Sequence, residues 1–361
     1  MSDFRDMILP SYLSGRYLLK VKVRHSQEVF VIQSLPEKHQ VWAWPDKGEP
    51  QSLRLEIRTR PIPTPGEVLV ANSAIGLNPV DWKMIEWGHA AWSAGHVPGV
   101  DGVGVIAATG DGVRLPIGLR GAYHQSLARD GSFAEFTIID ARSILPIPAS
   151  VADVVAAALP CPGLTAWQAL RKVPRRMVRD VLVTGAGGSV GSILAQLAAR
   201  CGWRVWVTAA SAHRDKLLAL GITGVFDYRD PNWCDRLVES LGPRRLYAIF
   251  DTVSGEHAQT LAPMLGYNGH LICIQDRIEE NPLPAFTTAV SLHEVALNSV
   301  HLNATDEDWQ EWRFAGAELF QMLETGALQL PPIEVRSFDA LPLTLTDLKS
   351  RAHKGKLVVV T

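Results

Sequence analysis

The sequence has few cysteines, no excess of either charge and no long apolar run. Its four cysteines lie far apart among 361 residues and include no C-x-x-C pair. This argues against a disulfide framework or a cysteine-rich zinc lobe, and the thiols are expected to stay reduced. The 35 basic and 37 acidic residues give a formal net charge of −2. No block of like charge offers a contact surface to nucleic acid or to an anionic membrane.

Targeting and membrane signals are also missing. Asp3 and Asp6 stand where a signal peptide needs positive charge. No stretch approaches the roughly 18 apolar residues that a membrane-spanning helix requires. We therefore expect a cytoplasmic protein that has neither a membrane nor a nucleic acid as partner.

Length and pattern predict two folded domains. A chain of 361 residues, 47% of them hydrophobic, is too long for one ordinary core. Residues 40–155 show short strand-like runs between glycine- and proline-containing turns, which predicts a β-rich domain. Residues 156–295 alternate strand and helix patterns, which is typical of a doubly wound parallel sheet. Residues 296–361 contain an amphipathic helix and a final strand, and are expected to return to the first domain.

Residues 1–39 form an extension of uncertain structure. The alternation in YLLKVKVRH and EVFVIQSL is compatible with a hairpin. A loosely attached arm is equally compatible.

A glycine-rich turn in VLVTGAGGSVGSILAQLAARCG predicts a dinucleotide site. Gly185, Gly187, Gly188 and Gly191 lie between an apolar strand and an amphipathic helix. Glycine permits close approach of the backbone to a pyrophosphate, and the helix N-terminus supplies free N–H groups. The alternative is a tight structural turn.

The end of the second strand favours NADPH over NADH. An NAD site usually has an acidic residue there, but VWVTAASAHRDK has none before Asp215. Hydroxyl and cationic groups that suit a 2′-phosphate are available instead. They are Ser211, Arg214, Lys216 and Tyr228. Arg214 and Lys216 could equally form an ordinary solvated helix face.

With these features in place, the chain resembles the medium-chain dehydrogenase/reductase superfamily, and most of all its zinc-independent quinone oxidoreductase-like branch. The landmarks are EVLVANSAIGLNPVDWK, VPGVDGVGVI, DGSFAEF, LPCPGLTAW, TGAGGSVG and HKGKLVVV. The resemblance implies a GroES-like catalytic domain and a Rossmann domain, with the cofactor between them. It also implies further cofactor contacts at Thr165, Ser189, Val190, Thr252, Val253, Ile274 and Lys356.

The resemblance implies that a catalytic metal is absent. Zinc alcohol dehydrogenases of this superfamily have a cysteine ligand where this chain has Asn78, and a histidine ligand where it has Val100. Cys161 remains at the third ligand position, but a catalytic zinc needs three protein ligands. We therefore predict no metal.

Three residues are candidates for the catalytic group. Asn78 precedes the proline that ends the strand EVLVANSAIGL, and could donate an amide N–H to a carbonyl oxygen; its alternative role is to cap the turn. Lys83 could stabilise an oxyanion or lie on the surface. Tyr123, like its neighbour His124, could supply a polar group or simply pack in a strand.

The predicted function follows from the missing metal. Without a Lewis acid, hydride transfer is easiest to an acceptor that is already electrophilic. We expect NADPH-dependent reduction of a small-molecule quinone or α,β-unsaturated carbonyl. A 2-enoyl-thioester reductase and a non-catalytic NADPH-binding protein, like the lens crystallins recruited from this branch, are the alternatives. The resemblance also allows a homodimer.

Overall fold

A computed structural model describes residues 16–23, 27–175 and 178–361, with residues 16–23 and 27–34 described by their backbone only. The strands are β1 Arg16–Val23, β2 Gln27–Ser34, β3 Lys38–Ala43, β4 Arg54–Thr59, β5 Glu67–Gly76, β6 Asp101–Thr109, β7 Arg120–His124, β8 Phe136–Asp140, β9 Leu145–Pro146, β10 Asp180–Val183, β11 Arg204–Thr208, β12 Gly224–Phe226, β13 Leu246–Asp251, β14 Leu265–Cys273, β15 Ser291–Glu294, β16 Ile333–Ser337 and β17 Lys356–Val360. The α-helices are α1 Pro79–Trp87, α2 Asp153–Ala156, α3 Pro160–Arg171, α4 Ser189–Arg200, α5 Arg214–Ala219, α6 Trp233–Leu241, α7 Gly255–Leu261, α8 Val300–Asn303, α9 Asp306–Glu324 and α10 Leu341–Ser350.

A mixed sheet forms the β-rich part of the molecule. Within the described residues it has seven strands, in the order β16-β17-β5-β6-β7-β9, with β8 paired to β5. Its interior contains Val68, Ile106 and Ile139, each fully buried. β5 ends at Gly76 and α1 begins at Pro79, because proline cannot donate a ladder hydrogen bond but suits the first helical position.

A parallel sheet forms the second half. Its six strands, counted over the described residues, run in the order β12-β11-β10-β13-β14-β15, and every pairing is parallel. Alternate residues face opposite layers: Val181 and Val183 pack into one core cluster and Leu182 into another. Strands buried on both faces read as continuous apolar runs. The prediction of a GroES-like β-rich part joined to a doubly wound Rossmann sheet is confirmed.

The returning tail joins the first sheet. β17 pairs with β5 in antiparallel fashion and with β16 in parallel fashion. The domain boundaries at residues 40–155, 156–295 and 296–361 stay predictions.

The N-terminal extension contains a paired hairpin. β1 pairs with β2 in antiparallel register, Arg16 opposite Ser34 and Val23 opposite Gln27. The rest of that predicted segment up to residue 15, and residues 24–26, lie outside the described residues. Among the residues that the structure does describe, no helix has the length and apolar character needed to span a bilayer.

Candidate active site

The glycine turn lies where the order of the parallel strands reverses. β10 lies between β11 and β13, so the chain leaves β10 at the switch point where open α/β sheets bind their ligands. The turn runs from Thr184 into α4, whose N-cap is Gly188. The predicted contacts Ser189 and Val190 occupy the first two positions of α4. Their backbone N–H groups have no partner within the helix, and a helix N-terminus of this kind favours an anion such as a phosphate.

Two glycines of the turn are required by geometry. Gly185 has φ of +64°, a left-handed conformation that glycine adopts without strain. A β-carbon on Gly191 would lie 2.5 Å from the Gly185 carbonyl oxygen, so the helix and the turn could not pack as they do. Gly188 is less constrained, since its β-carbon would meet that oxygen at 3.4 Å.

The loop after β13 is fastened to the glycine turn. The Thr252 hydroxyl donates to the Thr184 carbonyl oxygen over 2.9 Å. Asp251 accepts hydrogen bonds from the Thr184 hydroxyl at 2.8 Å and from the backbone N–H groups of Val253 and Ser254. Thr252 and Val253 thus lie beside the glycines, while Ile274 follows the adjacent strand β14. Here the structure brings predicted cofactor residues together.

The predicted 2′-phosphate residues are partly engaged elsewhere. Ser211 donates both its backbone N–H and its hydroxyl to the Asp227 carboxylate. Arg214 donates Nη1–H to the Val225 carbonyl oxygen over 2.7 Å, which fixes one edge of its guanidinium to β12. Sequence reasoning missed Asp227, because it follows the third strand rather than the second.

A histidine that sequence reasoning missed lies directly against the turn. A β-carbon on Gly187 would lie 2.9 Å from Cδ2 and 3.1 Å from Nε2 of His213. Tyr228 is half exposed, and the Arg229 guanidinium lies 5.5 Å from the centre of its ring. Lys216 lies one turn further along, on α5. The sequence could have indicated His213 as a further candidate, because it lies two residues after Ser211 in the segment predicted to bind the 2′-phosphate.

Asn78 is the N-cap of α1 and is buried. Its two side-chain N–H groups donate to the Gly76 carbonyl oxygen at 3.1 Å and to Asp101 Oδ2 at 2.9 Å. The expectation of a free amide N–H at Asn78 therefore does not hold, because an amide has only two. Its carbonyl oxygen accepts from Lys356 Nζ over 2.5 Å.

Asp81 ties two active-site turns together. Its carboxylate accepts from the backbone N–H of Asn78 at 2.7 Å and from that of Val100 at 3.1 Å. Burial raises the pKa of Asp81 to about 7, and the charge of Asp101 adds to that shift. In the sequence the pair appears as N-x-x-D, with Asp81 three residues after Asn78, which is the spacing of a capping box.

Asp101, His124 and Cys161 form the one set of three potential metal ligands found in the described residues, with ligand atoms within 4.8 Å of one another. Hydrogen bonds already use the carboxylate, since His124 Nδ1 donates to Oδ1 at 2.8 Å and Cys161 N–H to Oδ2 at 2.9 Å. Burial, reinforced by Asp101, raises the pKa of the Cys161 thiol, so the thiol is neutral within this network. Asp101 thus joins His124 and Cys161 in a hydrogen-bonded network.

The other two candidates differ in accessibility. Tyr123 is fully buried in the interior of the β-rich sheet and donates its hydroxyl to Asn72 at 2.7 Å. Burial raises its pKa, so the structure does not bring Tyr123 into the site. Lys83 is half-buried on α1 and makes no hydrogen bond or ion pair within the described residues. Its ammonium lies 5.8 Å and 5.6 Å from the ring centres of Trp82 and Trp87.

Replacing Asn78 by alanine should destabilise the protein. The change leaves the buried groups of Asp101 and Lys356 each one hydrogen bond short, and an unsatisfied buried polar group costs about 1–3 kcal/mol. We expect the melting temperature to fall by several degrees in a thermal unfolding scan. Asn303→Ala, at an exposed position, is the control. Equal melting temperatures for the two variants would contradict this role of Asn78.

Comparisons with known proteins decide the family. Residues 64–149 match the alcohol dehydrogenase GroES-like domain, and residues 189–316 match the zinc-binding dehydrogenase domain. Mouse quinone oxidoreductase is 31% identical over 278 residues, which are 74% of this chain and 82% of the mouse protein. The chain belongs to the medium-chain dehydrogenase/reductase superfamily, in its quinone oxidoreductase-like branch. This makes it an oxidoreductase, and members of this superfamily bind a nicotinamide cofactor.

Two further proteins are similar to this oxidoreductase. A trans-enoyl reductase from Aspergillus flavipes is 28% identical over 225 residues, which are 57% of this chain and 64% of the fungal protein. The solved structure of a mycobacterial quinone oxidoreductase superimposes with a TM-score of 0.75 at 26% identity, covering 90% of this chain and 100% of that one.

Proposed function

We propose that this protein is an NADPH-dependent reductase that delivers hydride to a quinone or an α,β-unsaturated carbonyl without a catalytic metal. The observation that carries the proposal is a dinucleotide-type turn combined with an active-site floor, formed by Asn78, Val100, Asp101 and Cys161, in which two of the superfamily's three zinc-ligand positions hold residues other than cysteine or histidine. Asn78 and Val100 stand at two ligand positions, and the Asp101 carboxylate accepts hydrogen bonds from the Asn78 side chain and from the Cys161 backbone N–H.

The chain's own residues would bind and orient the cofactor. The reduced nicotinamide supplies the hydride when bound. The glycine turn and the N-terminus of α4 would hold the pyrophosphate. The loop Thr252–Val253 and Ile274 would flank the nicotinamide half, together with Thr165 and Lys356. Thr165 is buried on α3, one turn after Cys161.

Lys83 is the proposed donor to the acceptor's carbonyl oxygen. Of the three predicted catalytic residues it alone has uncommitted N–H groups. Burial lowers the pKa of Lys83, while the charge of Asp276 opposes the shift. A lysine with a lowered pKa is a better proton donor near neutral pH. It would stabilise the negative charge that builds on that oxygen as hydride arrives.

Two tryptophans beside Lys83 favour a flat acceptor. Trp82 and Trp87 meet edge to face, with ring centres 6.4 Å apart, and Trp87 is 55% exposed. Exposed indoles can stack on a planar conjugated molecule. Trp92, the third tryptophan of this stretch, instead packs in the core and donates its N–H to the Leu127 carbonyl oxygen.

A 2-enoyl-thioester reductase is the second candidate. The similarity to a trans-enoyl reductase favours it, and the chemistry at the alkene is the same. The two differ in the group attached to the acceptor's carbonyl carbon, which in a thioester is the sulfur of a long phosphopantetheine arm and stays attached during the reduction.

An acceptor panel tests the proposal. Purified protein would be assayed with NADPH against 9,10-phenanthrenequinone, a 2-enal, a 2-enone and a 2-enoyl thioester. We expect turnover of the first three and a lower kcat/KM for the thioester. Turnover of the thioester alone would favour the second candidate. Cofactor binding without turnover of any acceptor would favour a non-catalytic NADPH-binding protein.

Cofactor preference should depend on His213. Its ring lies over the glycine turn with an exposed side chain, where a 2′-phosphate could accept its N–H. A hydrogen bond to a charged group contributes about 1.5–3 kcal/mol. We therefore expect His213→Ala to weaken NADPH binding about tenfold or more and NADH binding by less than about twofold.

Arg214→Ala is the matched control, read by the same fluorescence titration. Because its Nη1–H bonds to a backbone carbonyl, its loss should affect the two cofactors alike. A selective loss of NADPH affinity in Arg214→Ala, with none in His213→Ala, would show that Arg214 and not His213 binds the 2′-phosphate.

A further inference from the structure

We infer that His124 is a positioning residue: through Asp101 and Asn78 it fixes the ammonium group of Lys356 at the active-site floor. The inference rests on the proposed function in one respect, that Lys356 faces the nicotinamide half of the cofactor.

The four side chains form one continuous chain of hydrogen bonds. His124 Nδ1 donates to Asp101 Oδ1 at 2.8 Å, and Asp101 Oδ2 accepts from Asn78 Nδ2 at 2.9 Å. Asn78 Oδ1 then accepts from Lys356 Nζ at 2.5 Å. Each step fixes the orientation of the next group, because an amide that donates from nitrogen must present its oxygen elsewhere. The orientation of Asn78 is therefore dictated by Asp101.

Lys356 keeps one donor for a ligand. Its ammonium has three N–H groups, and the described contacts use two, with Asn78 Oδ1 and with the Leu77 carbonyl oxygen at 2.8 Å. Burial lowers the pKa of Lys356, and the charge of Asp101 opposes the shift. A buried ammonium that is held by two acceptors has little freedom, so a small change in Asn78 would displace the third N–H.

At the His124 end of this hydrogen-bonded chain, the imidazole ring packs against side chains from residues 296–361. His301 stacks on His124 with ring centres 6.0 Å apart, and Trp312 lies 6.2 Å from the same ring. Burial lowers the pKa of His301 to about 3, so this neighbour stays neutral. Nε2 of His301 and Nε1 of Trp312 are buried without a partner among the described residues. The His124 ring is therefore held by packing on one side and by Asp101 on the other.

The register of β7 explains why His124 has this role and Tyr123 does not. Asp101 pairs with His124 across β6 and β7, and Gly102 pairs with Tyr123. Neighbouring residues of a strand point to opposite faces. Tyr123 therefore enters the sheet interior, while His124 faces α3 and the active-site floor.

The test compares two variants of similar size. His124→Asn retains a side-chain N–H near the position of Nδ1, whereas His124→Leu fills the space without a donor. The first measurement is the dissociation constant of NADPH and of NADH by fluorescence titration, which requires no turnover. Thermal unfolding is measured in parallel, and kcat and KM for 9,10-phenanthrenequinone follow.

We expect His124→Leu to weaken the binding of both cofactors about tenfold and to lower kcat with little change in the acceptor KM. In His124→Asn, the cofactor affinities and kcat should stay within about threefold of those of the unmodified protein. The ratio of NADPH to NADH affinity should not change, since the 2′-phosphate binds elsewhere. His39→Leu, at a buried histidine whose Nδ1 has no hydrogen-bond partner among the described residues, should leave cofactor affinity unchanged.

Equal cofactor affinity in the leucine and asparagine variants, whether normal or reduced, would overturn the inference, because packing alone would then explain His124. If the unmodified protein binds neither cofactor, the proposed function itself fails, which is a separate result. If His124→Leu does not fold, His124→Asn with normal affinity supports the inference and with tenfold weaker affinity overturns it.

Discussion

Gly191→Ala should abolish measurable binding of both NADPH and NADH. Alanine normally stabilises a helix interior by about 1 kcal/mol relative to glycine, so propensity alone predicts a better protein. The structure predicts the opposite, because the new β-carbon would lie 2.5 Å from the Gly185 carbonyl oxygen and 2.9 Å from Ala186 Cα. Relieving that overlap must open the turn that presents N–H groups to the pyrophosphate. We expect a loss of at least about 100-fold in affinity, equivalent to about 3 kcal/mol.

Gly188→Ala provides a graded comparison for this effect. Its β-carbon would meet only the Gly185 oxygen, at 3.4 Å, and its φ of −87° is accessible to alanine. In fluorescence titrations, we expect Gly188→Ala to lose much less cofactor affinity than Gly191→Ala. Equal losses in the two variants would show that the contact between α4 and the turn does not set the geometry of the site.

Lys83→Met should lower kcat about 100- to 1,000-fold for an enone, the usual cost of removing one oxyanion donor from a preorganised site. Methionine retains the apolar stem between Trp82 and Trp87 but loses the ammonium. Quinones are intrinsically more reactive, so the fall in kcat of Lys83→Met should be smaller with a quinone than with an enone. NADPH affinity should change little, because Lys83 lies on α1 and not in the glycine turn.

Lys349→Met is the matched control for this prediction. Lys349 lies 5.8 Å from the same Trp82 ring but forms salt bridges to Glu49 and Glu86. Steady-state kinetics should show near-normal kcat for Lys349→Met. If both lysine variants lose activity equally, the surroundings of Trp82 matter and Lys83 is not the donor.

The strand, turn and helix of the glycine-rich stretch could be predicted from the sequence because the signals for them are local. Gly185, Gly187, Gly188 and Gly191 lie within seven residues, between an apolar strand and an amphipathic helix. Backbone geometry of this kind is decided by neighbours in the chain. The family match and the parallel sheet confirm the fold that this stretch predicted.

The floor of the site could not be predicted, because its contacts join distant segments. Nothing near Asn78 in the sequence shows that its N–H groups are used by Gly76 and Asp101, or its oxygen by Lys356 from the last strand. Spacing can place a polar residue at a strand end but cannot show which of its hydrogen bonds remain free. The same limit hid His213, whose contact with Gly187 depends on how the chain folds after β11.

Strand alternation explains why Tyr123 lies in the interior of the sheet and not in the candidate site. The sequence GAYH does not reveal which residue faces the core, because both are large and partly polar. The pairing of Asp101 with His124 decides it. A shift of one residue in that register would exchange their positions.

Transfer of deuterium from the cofactor tests the central claim most directly. Protein treated with a chelator, and shown by elemental analysis to hold far less than one zinc per chain, would be incubated with NADPH deuterated stereospecifically at nicotinamide C4 and with a 2-enone. Mass spectrometry and NMR would then locate the label. Metal-free hydride transfer predicts one deuterium at the β-carbon of the product from one of the two C4 epimers, with one NADPH consumed per product. Loss of turnover on chelation, or product without deuterium, would contradict it.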